Sequence, residues 1–191
     1  MRSPIVFAAA AILSAANAQN WEIDPRHSTA QFSVRHMVIS NVRGEFLKVG
    51  GSATYDPKNL KTANLEATID VSSITTREEK RDTHLKGPDF FDVAKFPTIT
   101  FKSRSFSKTS AGLKILGDLT MHGVTKPVTL AVEGPSEEIK DSLGKQRIGA
   151  SATLKVNRKE FGINYSKVLE TGGVIVGDEV SITLDVQLVK K

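Results

Sequence analysis

The sequence predicts an all-β protein, either a closed antiparallel barrel or a two-sheet sandwich, and three observations predict it. First, apolar and polar residues alternate strictly. From Val180 to Leu188 one set is Val180, Ile182, Leu184, Val186 and Leu188, and the other is Ser181, Thr183, Asp185 and Gln187. Ile148 to Val156 repeats the pattern, with Ile148, Ala150, Ala152, Leu154 and Val156 against Gly149, Ser151, Thr153 and Lys155. A period of two gives a strand one dry face and one wet face. Second, such segments recur along the chain between turn residues, as they do in barrels and sandwiches. Third, no internal repeat, low-complexity stretch or linker divides the chain. An apolar barrel interior is either packed solid or a container, and that choice is most of the functional question.

The first residues read as an address. Arg2 is a positive n-region, Ile5 to Leu13 is a short apolar run, and Ala16-Asn17-Ala18 has the small-x-small form of a signal-peptidase site. The expected signal peptide is residues 1–18, with cleavage before Gln19. Its apolar run is far shorter than the roughly 20 residues of a membrane span. Removing eighteen of the 191 residues leaves 173, the size of one domain, 19–191. An exported, periplasmic protein is the expectation. The chain has no cysteine. Disulfides, thiolate metal sites and cysteine nucleophiles are therefore excluded, and the fold depends on core burial. The formal charge of +5 is spread along the chain. It suits a solvated surface, with transient contact with an anionic membrane surface as the sharper alternative. No basic patch is interleaved with stacking aromatics, so no nucleic-acid partner is expected.

The elements follow in order. Trp21 to Asp24 and Ser28 to Arg35 open as strands, punctuated by Asp24-Pro25-Arg26. His36 to Val42 reads as a short helical turn or a bent strand. Glu45 to Tyr55 is a strand whose Gly50-Gly51 marks a bulge or a close backbone approach. Asp56 to Asn59 is a turn, and Asn64 to Val71 alternates again. Thr76-Arg77-Glu78-Glu79 has the form of a capping box, predicting a short helix over about 77–86 that stops at Gly87-Pro88. Pro97 to Phe106, Gly112 to Met121 and Val124 to Glu133 read as consecutive strands, the last two joined by a tight hairpin at Met121-His122-Gly123. Gln146 to Val156 and Glu179 to Val189 are the final strands. Between them lies a long loop, Asn157 to Asp178, expected near one mouth of a barrel.

Catalytic arrangements are scarce. There is no Gly-x-Ser-x-Gly, His-Glu-x-x-His, Walker loop or Gly-x-Gly-x-x-Gly. No catalytic residue, metal site or cofactor is expected. His27 suits a structural hydrogen bond, and His122 belongs to the hairpin. A metal site from His27, His36 and His84 is conceivable, but no close-spaced pair or neighbouring carboxylate in the sequence supports it. Arg81 and His84 share a helix face by their spacing, as a polar anchor or a surface pair. The aromatics, Phe32, Phe46, Phe101 and Phe106 in strands and Phe90, Phe91 and Phe161 in loops, suit an ordinary core or a lined cavity. Ala67, Gly117, Ala150 and Ala152 on the inner face are expected to leave space, which tilts the reading toward a cavity.

These residues in order resemble the YceI-like family of periplasmic, lipocalin-like proteins that bind polyisoprenoids. The resemblance runs over essentially the whole mature chain. Its motifs include Trp21 to Ser28, Phe32 to Met37, Val42 to Phe46, Ser73 to Thr76 and Arg81 to Leu85. Asp89-Phe90-Phe91-Asp92, Phe96 to Phe101 and Asn157 to Gly162 follow, with Val176 to Val180 last. Gly117 to Val128 is the most specific. The resemblance implies an extended antiparallel lipocalin-like barrel holding a polyprenyl lipid or isoprenoid quinone in an apolar tunnel, and it implies no enzyme. On that reading the alternation places Phe32, Phe46, Ile69, Phe101, Leu119, Leu154, Ile182 and Leu184 on the wall. Arg35, His36, Arg81 and His84 are the candidates for a polar end. Two alternatives stand beside it. One is a stress-related interaction protein with a solid barrel. The other is an enzyme on a hydrophobic substrate, favoured by a histidine close to a carboxylate inside the pocket. The oligomeric state stays open, a dimer included.

Overall fold

Every strand pairing among the described residues is antiparallel. The computed structural model describes residues 19–168 and 174–191. The expected signal peptide and part of the 157–178 loop lie outside these. The strands are β1 (Gln19–Ile23), β2 (Thr29–His36), β3 (Ser40–Phe46), β4 (Val49–Tyr55), β5 (Asn64–Asp70) and β6 (Ile74–Thr75). After the helix α1 (Glu79–Lys86) come β7 (Thr98–Thr109), β8 (Gly112–Met121) and β9 (Val124–Glu133). The last are the short β10 (Ile139–Lys140), then β11 (Gln146–Asn157) and β12 (Val176–Lys190).

Three pairs of these segments are single long strands interrupted by a kink. β12 pairs along one edge with both β1 (Ile23 opposite Leu188) and β2 (Ala30 opposite Leu184). In the gap, Asp24 N–H donates to the Gln187 carbonyl, and Gln187 N–H donates to Ser28 Oγ. β1 pairs onward with β4 and β2 with β3, while β4 pairs with β5 and β3 with β6. Counted this way, eight strands run up and down in chain order. β12 closes the ring through β11 on its other edge, from Arg147 opposite Val189 to Asn157 opposite Glu179. Closure removes the exposed sheet edges that a sandwich would keep. The Glu45 to Tyr55 strand predicted as continuous is thus broken at Leu47-Lys48, and the 36–42 stretch is a hairpin tip.

Alternation decides which face is dry. On β8 the buried residues are Leu113, Ile115, Gly117, Leu119 and Met121, each separated by an exposed or half-buried neighbour. Burying each of the side chains of Leu113, Ile115, Leu119 and Met121 contributes about 1.5–3 kcal/mol. Of the paired glycines expected to mark a bulge or a close backbone approach, Gly51 makes the approach, while a Cβ on Gly50 would meet nothing within 4 Å. A Cβ on Gly51, whose φ is +145°, would meet the Glu66 carbonyl oxygen at 2.1 Å.

Because the strands alternate in direction, the connections fall at two ends. One end carries the β2–β3 hairpin tip, the 76–97 segment with α1, the β8–β9 turn and the described parts of the β11–β12 connection, 158–168 and 174–175. The opposite end carries Gln19, the C-terminal Lys191, the 56–63 turn, the β7–β8 turn and the 134–145 loop. The helix starts two residues later than predicted, and its cap is Glu78, whose carboxylate accepts from Lys80 N–H and Arg81 N–H. Thr76 does not cap it. Its N–H and hydroxyl donate instead to Asp82 Oδ1, at 2.7 and 2.5 Å.

Candidate ligand-binding site

The barrel interior is hollow. A cavity of about 430 Å³ runs inside it, within the roughly 300–1,000 Å³ of small-molecule pockets. The inward residues of β12, Val180, Ile182, Leu184 and Val186, are only half-buried although they point away from bulk solvent. Phe32 and Val34 of β2 and Ala150 and Leu154 of β11 behave alike. Inward residues of a solid barrel would have no accessible surface to show.

All eight residues placed on the wall by alternation line this cavity: Phe32, Phe46, Ile69, Phe101, Leu119, Leu154, Ile182 and Leu184. The small residues divide. Ala67, Ala150 and Ala152 border the cavity. Gly117 does not leave space, because the Phe101 ring occupies it and a Cβ there would lie 2.3 Å from Phe101 Cζ. The glycine lets the ring lie flat on the sheet and so shapes the wall rather than enlarging the void.

The four side chains lining the cavity that carry or can gain positive charge all come from one end. They are His36 at the close of β2, Arg81 and His84 on α1, and Arg158 just after β11. His36, Arg81 and His84 were predicted for the polar end. Arg35 was too, but the strand period turns it outward. Its Nε donates to the Val38 carbonyl at 3.0 Å and its Nη1 to Asn41 Oδ1, so it braces the hairpin tip outside the cavity.

Arg81 is half-spent on its own segment. Its Nε donates to Thr76 Oγ1 at 2.7 Å and its Nη2 to the Thr76 carbonyl at 2.9 Å. Thr76 in turn holds Asp82. Burial acts to raise the Asp82 pKa, but hydrogen bonds from Thr76 and Thr75 and the nearby Lys86 charge together outweigh it and keep the carboxyl below its ordinary value. His84 is wedged edge-on between Phe90 and Tyr165, each 5.0 Å away between ring centroids, and its Nε2 contacts Asp89 Oδ2 at 2.8 Å. The carboxylate lies on the solvent side: Asp89 is 54% exposed and does not line the cavity. The pair therefore meets only in part the enzyme criterion of a histidine and a carboxylate together inside the pocket.

The sequence alone gives Arg158 no role, although it is the most buried cation among the described residues, at 4% exposure. Its guanidinium donates to the carbonyls of Gly177, Ile163 and Val176 and reaches Asp178 Oδ1 at 3.3 Å. Burial lowers its pKa from the ordinary arginine value, partly offset by Asp178. An arginine has five donors in a planar fork, so one side chain can collect several carbonyls of an irregular segment. A residue in an irregular segment just past a strand end carries no periodic signal, so the sequence places Arg158 in the loop without giving it a role. Tyr165, in the same irregular loop, has no periodic signal either.

Aromatic rings continue the wall to this end. Phe32 packs on Phe46 at 5.8 Å and Phe46 edge-on against Phe91 at 5.7 Å. Phe161, 1% exposed, plugs the core beside the mouth, and His122 Nδ1–H donates to its carbonyl. His122 therefore ties the β8–β9 turn to the short helical turn Arg158–Phe161, beyond the turn role expected for it. At the opposite end the lining includes Trp21, Thr54, Tyr55 and Asn64. Trp21 is 1% exposed, and its indole nitrogen has no hydrogen-bond partner among the described residues.

His27 pairs with Asp24 rather than with other histidines, at 2.9 Å. Among the described residues no three His, Asp or Glu side chains cluster as metal ligands. No described helix is long and apolar enough to cross a membrane.

Comparison with known proteins agrees with this geometry. A family profile described as YceI-like domain matches residues 21–188. A UPF0312 protein of Staphylococcus aureus (strain USA300) is 39% identical over 163 residues, which cover 84% of this chain and 92% of that protein. The crystal structure of Burkholderia cenocepacia BcnA superposes with a TM-score of 0.73 at 23% identity, over 86% of this chain and 98% of BcnA. A polyisoprenoid binding domain from Saccharophagus degradans superposes with a TM-score of 0.65 at 14% identity, over 90% of this chain and 98% of that domain. With the profile spanning the barrel from β1 to β12, and a close relative sharing most of its length, the chain belongs to the YceI-like family.

Proposed function

We propose that this protein is a periplasmic binding protein that sequesters or carries a long-chain isoprenoid lipid, a polyprenyl lipid or an isoprenoid quinone. The observation that carries the reading is the hollow apolar interior whose basic side chains, His36, Arg81, His84 and Arg158, gather at one end. That asymmetry matches a molecule with a long apolar tail and one polar head. Each CH₂-sized group moved from water to the wall returns about 0.8 kcal/mol, less the cost of ordering the tail. A tail needs no specific contact, only shape and dryness. A head group, carbonyl or phosphate, needs donors, and the free donors of Arg81 and His36 supply them.

The structural neighbour described as a polyisoprenoid binding domain supports this reading through its shared fold. The signal-peptide pattern of residues 1–18 supports the periplasmic address. In this reading the protein holds its ligand and performs no chemistry on it. Native mass spectrometry of the mature protein from its own periplasm, followed by organic extraction, tests it. A stoichiometric polyprenyl or quinone mass is expected. Protein that emerges empty and also refuses added isoprenoids overturns it.

A further inference from the structure

The β2–β3 hairpin tip breaks two rules at once. Met37 and Val38 both have positive φ, +50° and +64°, in a turn closed by Ile39 N–H donating to the His36 carbonyl. Such a turn favours Asn-Gly, and a β-branched valine is among the least suited residues for it. The same tip exposes its apolar side chains. Val38 is 58% and Ile39 76% exposed, and Met37 is 39% exposed. Residues that harm the turn and gain no burial serve something other than folding.

The tip has company at the same end of the barrel. Val168 and Val174 form a bridge and are 76% and 38% exposed, and the carbonyl of Ile175, next to Val174, accepts from Met37 N–H at 2.8 Å. The patch is continuous with the cavity, since His36 and Ile175 line it while their neighbours Met37 and Val174 are exposed. Beside it, the outward face of the hairpin presents the exposed cations Arg35 and Arg43.

We propose that this rim docks on a lipid bilayer carrying anionic head groups. Met37, Val38, Ile39, Val168 and Val174 insert among the acyl chains, and Arg35 and Arg43 lie against the head groups. An apolar edge flanked by arginine is the chemistry of an interfacial membrane contact. The inference rests on the lipid-carrying reading for its purpose: a long apolar tail then passes between bilayer and cavity without crossing water. The surface itself does not depend on the tail's identity.

The test is flotation of the mature protein with vesicles of phosphatidylethanolamine and phosphatidylglycerol, and with phosphatidylcholine alone. The key variant combines Met37→Asn, Val38→Gly and Ile39→Ser. It gives the turn its preferred residues, so the fold is retained, as thermal unfolding will verify. The wild type is expected to float with the anionic vesicles and less with the neutral ones. The variant is expected to lose roughly tenfold or more in vesicle affinity while its cavity still takes up an isoprenoid. Leu143→Ser, at the opposite end where Leu143 is 81% exposed, should change nothing. Wild type that does not float, or a variant that floats equally well, overturns the proposal. So does a patch that instead mediates a dimer, seen by sedimentation as self-association that the variant loses without any vesicle binding. Flotation by a protein that refuses isoprenoids would sustain the docking surface and sink the carrier reading alone.

Discussion

The Phe32 ring occupies the place where a side chain at Gly44 would be: a Cβ there would lie 2.4 Å from Phe32 Cζ and 2.7 Å from Thr76 Cγ2. The two residues face each other across β2 and β3. The ring is held down on the sheet and onward against Phe46, so a missing side chain sets the shape of the cavity wall. Gly44→Ala should destabilise the fold by about 1–3 kcal/mol through overpacking. Urea unfolding measures this, and an unchanged midpoint would show that the ring swings away freely.

Ala150 lines the cavity opposite Val186, and its small side chain leaves room there. Ala150→Leu should fill part of that room and lower the amount of isoprenoid recovered by extraction, with circular dichroism unchanged. Full recovery of the same ligand would mean that the tail takes another path.

Ile182 is half-buried on the inner face of β12. Ile182→Asp puts a carboxylate against the tail, and an unpaired charge facing apolar surface is costly. Isoprenoid retention should fall roughly tenfold or more, read by native mass spectrometry. A folded variant with undiminished binding would remove Ile182 from the wall.

Arg158 holds three carbonyls of the 158–177 segment. Arg158→Met keeps the apolar stem and strands those acceptors, for a loss of about 1.5–3 kcal/mol. Arg158→Lys should rescue little, since an ammonium lacks the planar fork. Denaturant unfolding, with hydrogen exchange at Ile163, separates global from local loss.

At the opposite end, Arg147 bridges Asp24 at 2.6 Å and Asp141 at 2.7 Å, tying the 134–145 loop to the kink between β1 and β2. Hydrogen bonds from Arg147 first, then from His27 and the Arg26 amide, hold the Asp24 carboxyl far below its ordinary value. A depressed folded pKa means that the ionised form stabilises the fold above the unfolded pKa of about 3.9. That contribution is lost as pH falls below this and through the folded value. The urea midpoint should drop below about pH 4, and Asp24→Asn should lower it at neutral pH while flattening the acid decline. An Asp24→Asn protein with the wild-type pH profile would place the acid sensitivity elsewhere.

The strands were legible because alternation is local. β8 and β9 match their predicted bounds, and β11 and β12 run one to three residues further than predicted. The kinks at Asp24 to Ser28 and at Leu47-Lys48 were less so. The first showed only as a turn, and the second showed nothing, because a strand that shifts register keeps its apolar pattern on both sides. The cap of α1 went to Glu78 because Thr76 found stronger partners in Asp82 and Arg81, a competition across several residues that a four-residue motif does not contain. Arg35 was misplaced by proximity in sequence to His36, although adjacent strand residues face opposite sides.

By itself the sequence determined the all-β class, the inward set that became the cavity wall, and the order of motifs that marks the family, since each rests on neighbours along the chain. Tertiary structure alone decided that the sheet closes, that its interior stays hollow, and that His36, Arg81, His84 and Arg158 share one mouth. Those depend on which distant strands pair and on rings such as Phe101 and Phe32 filling the places of glycines, and such contacts leave no period in the chain.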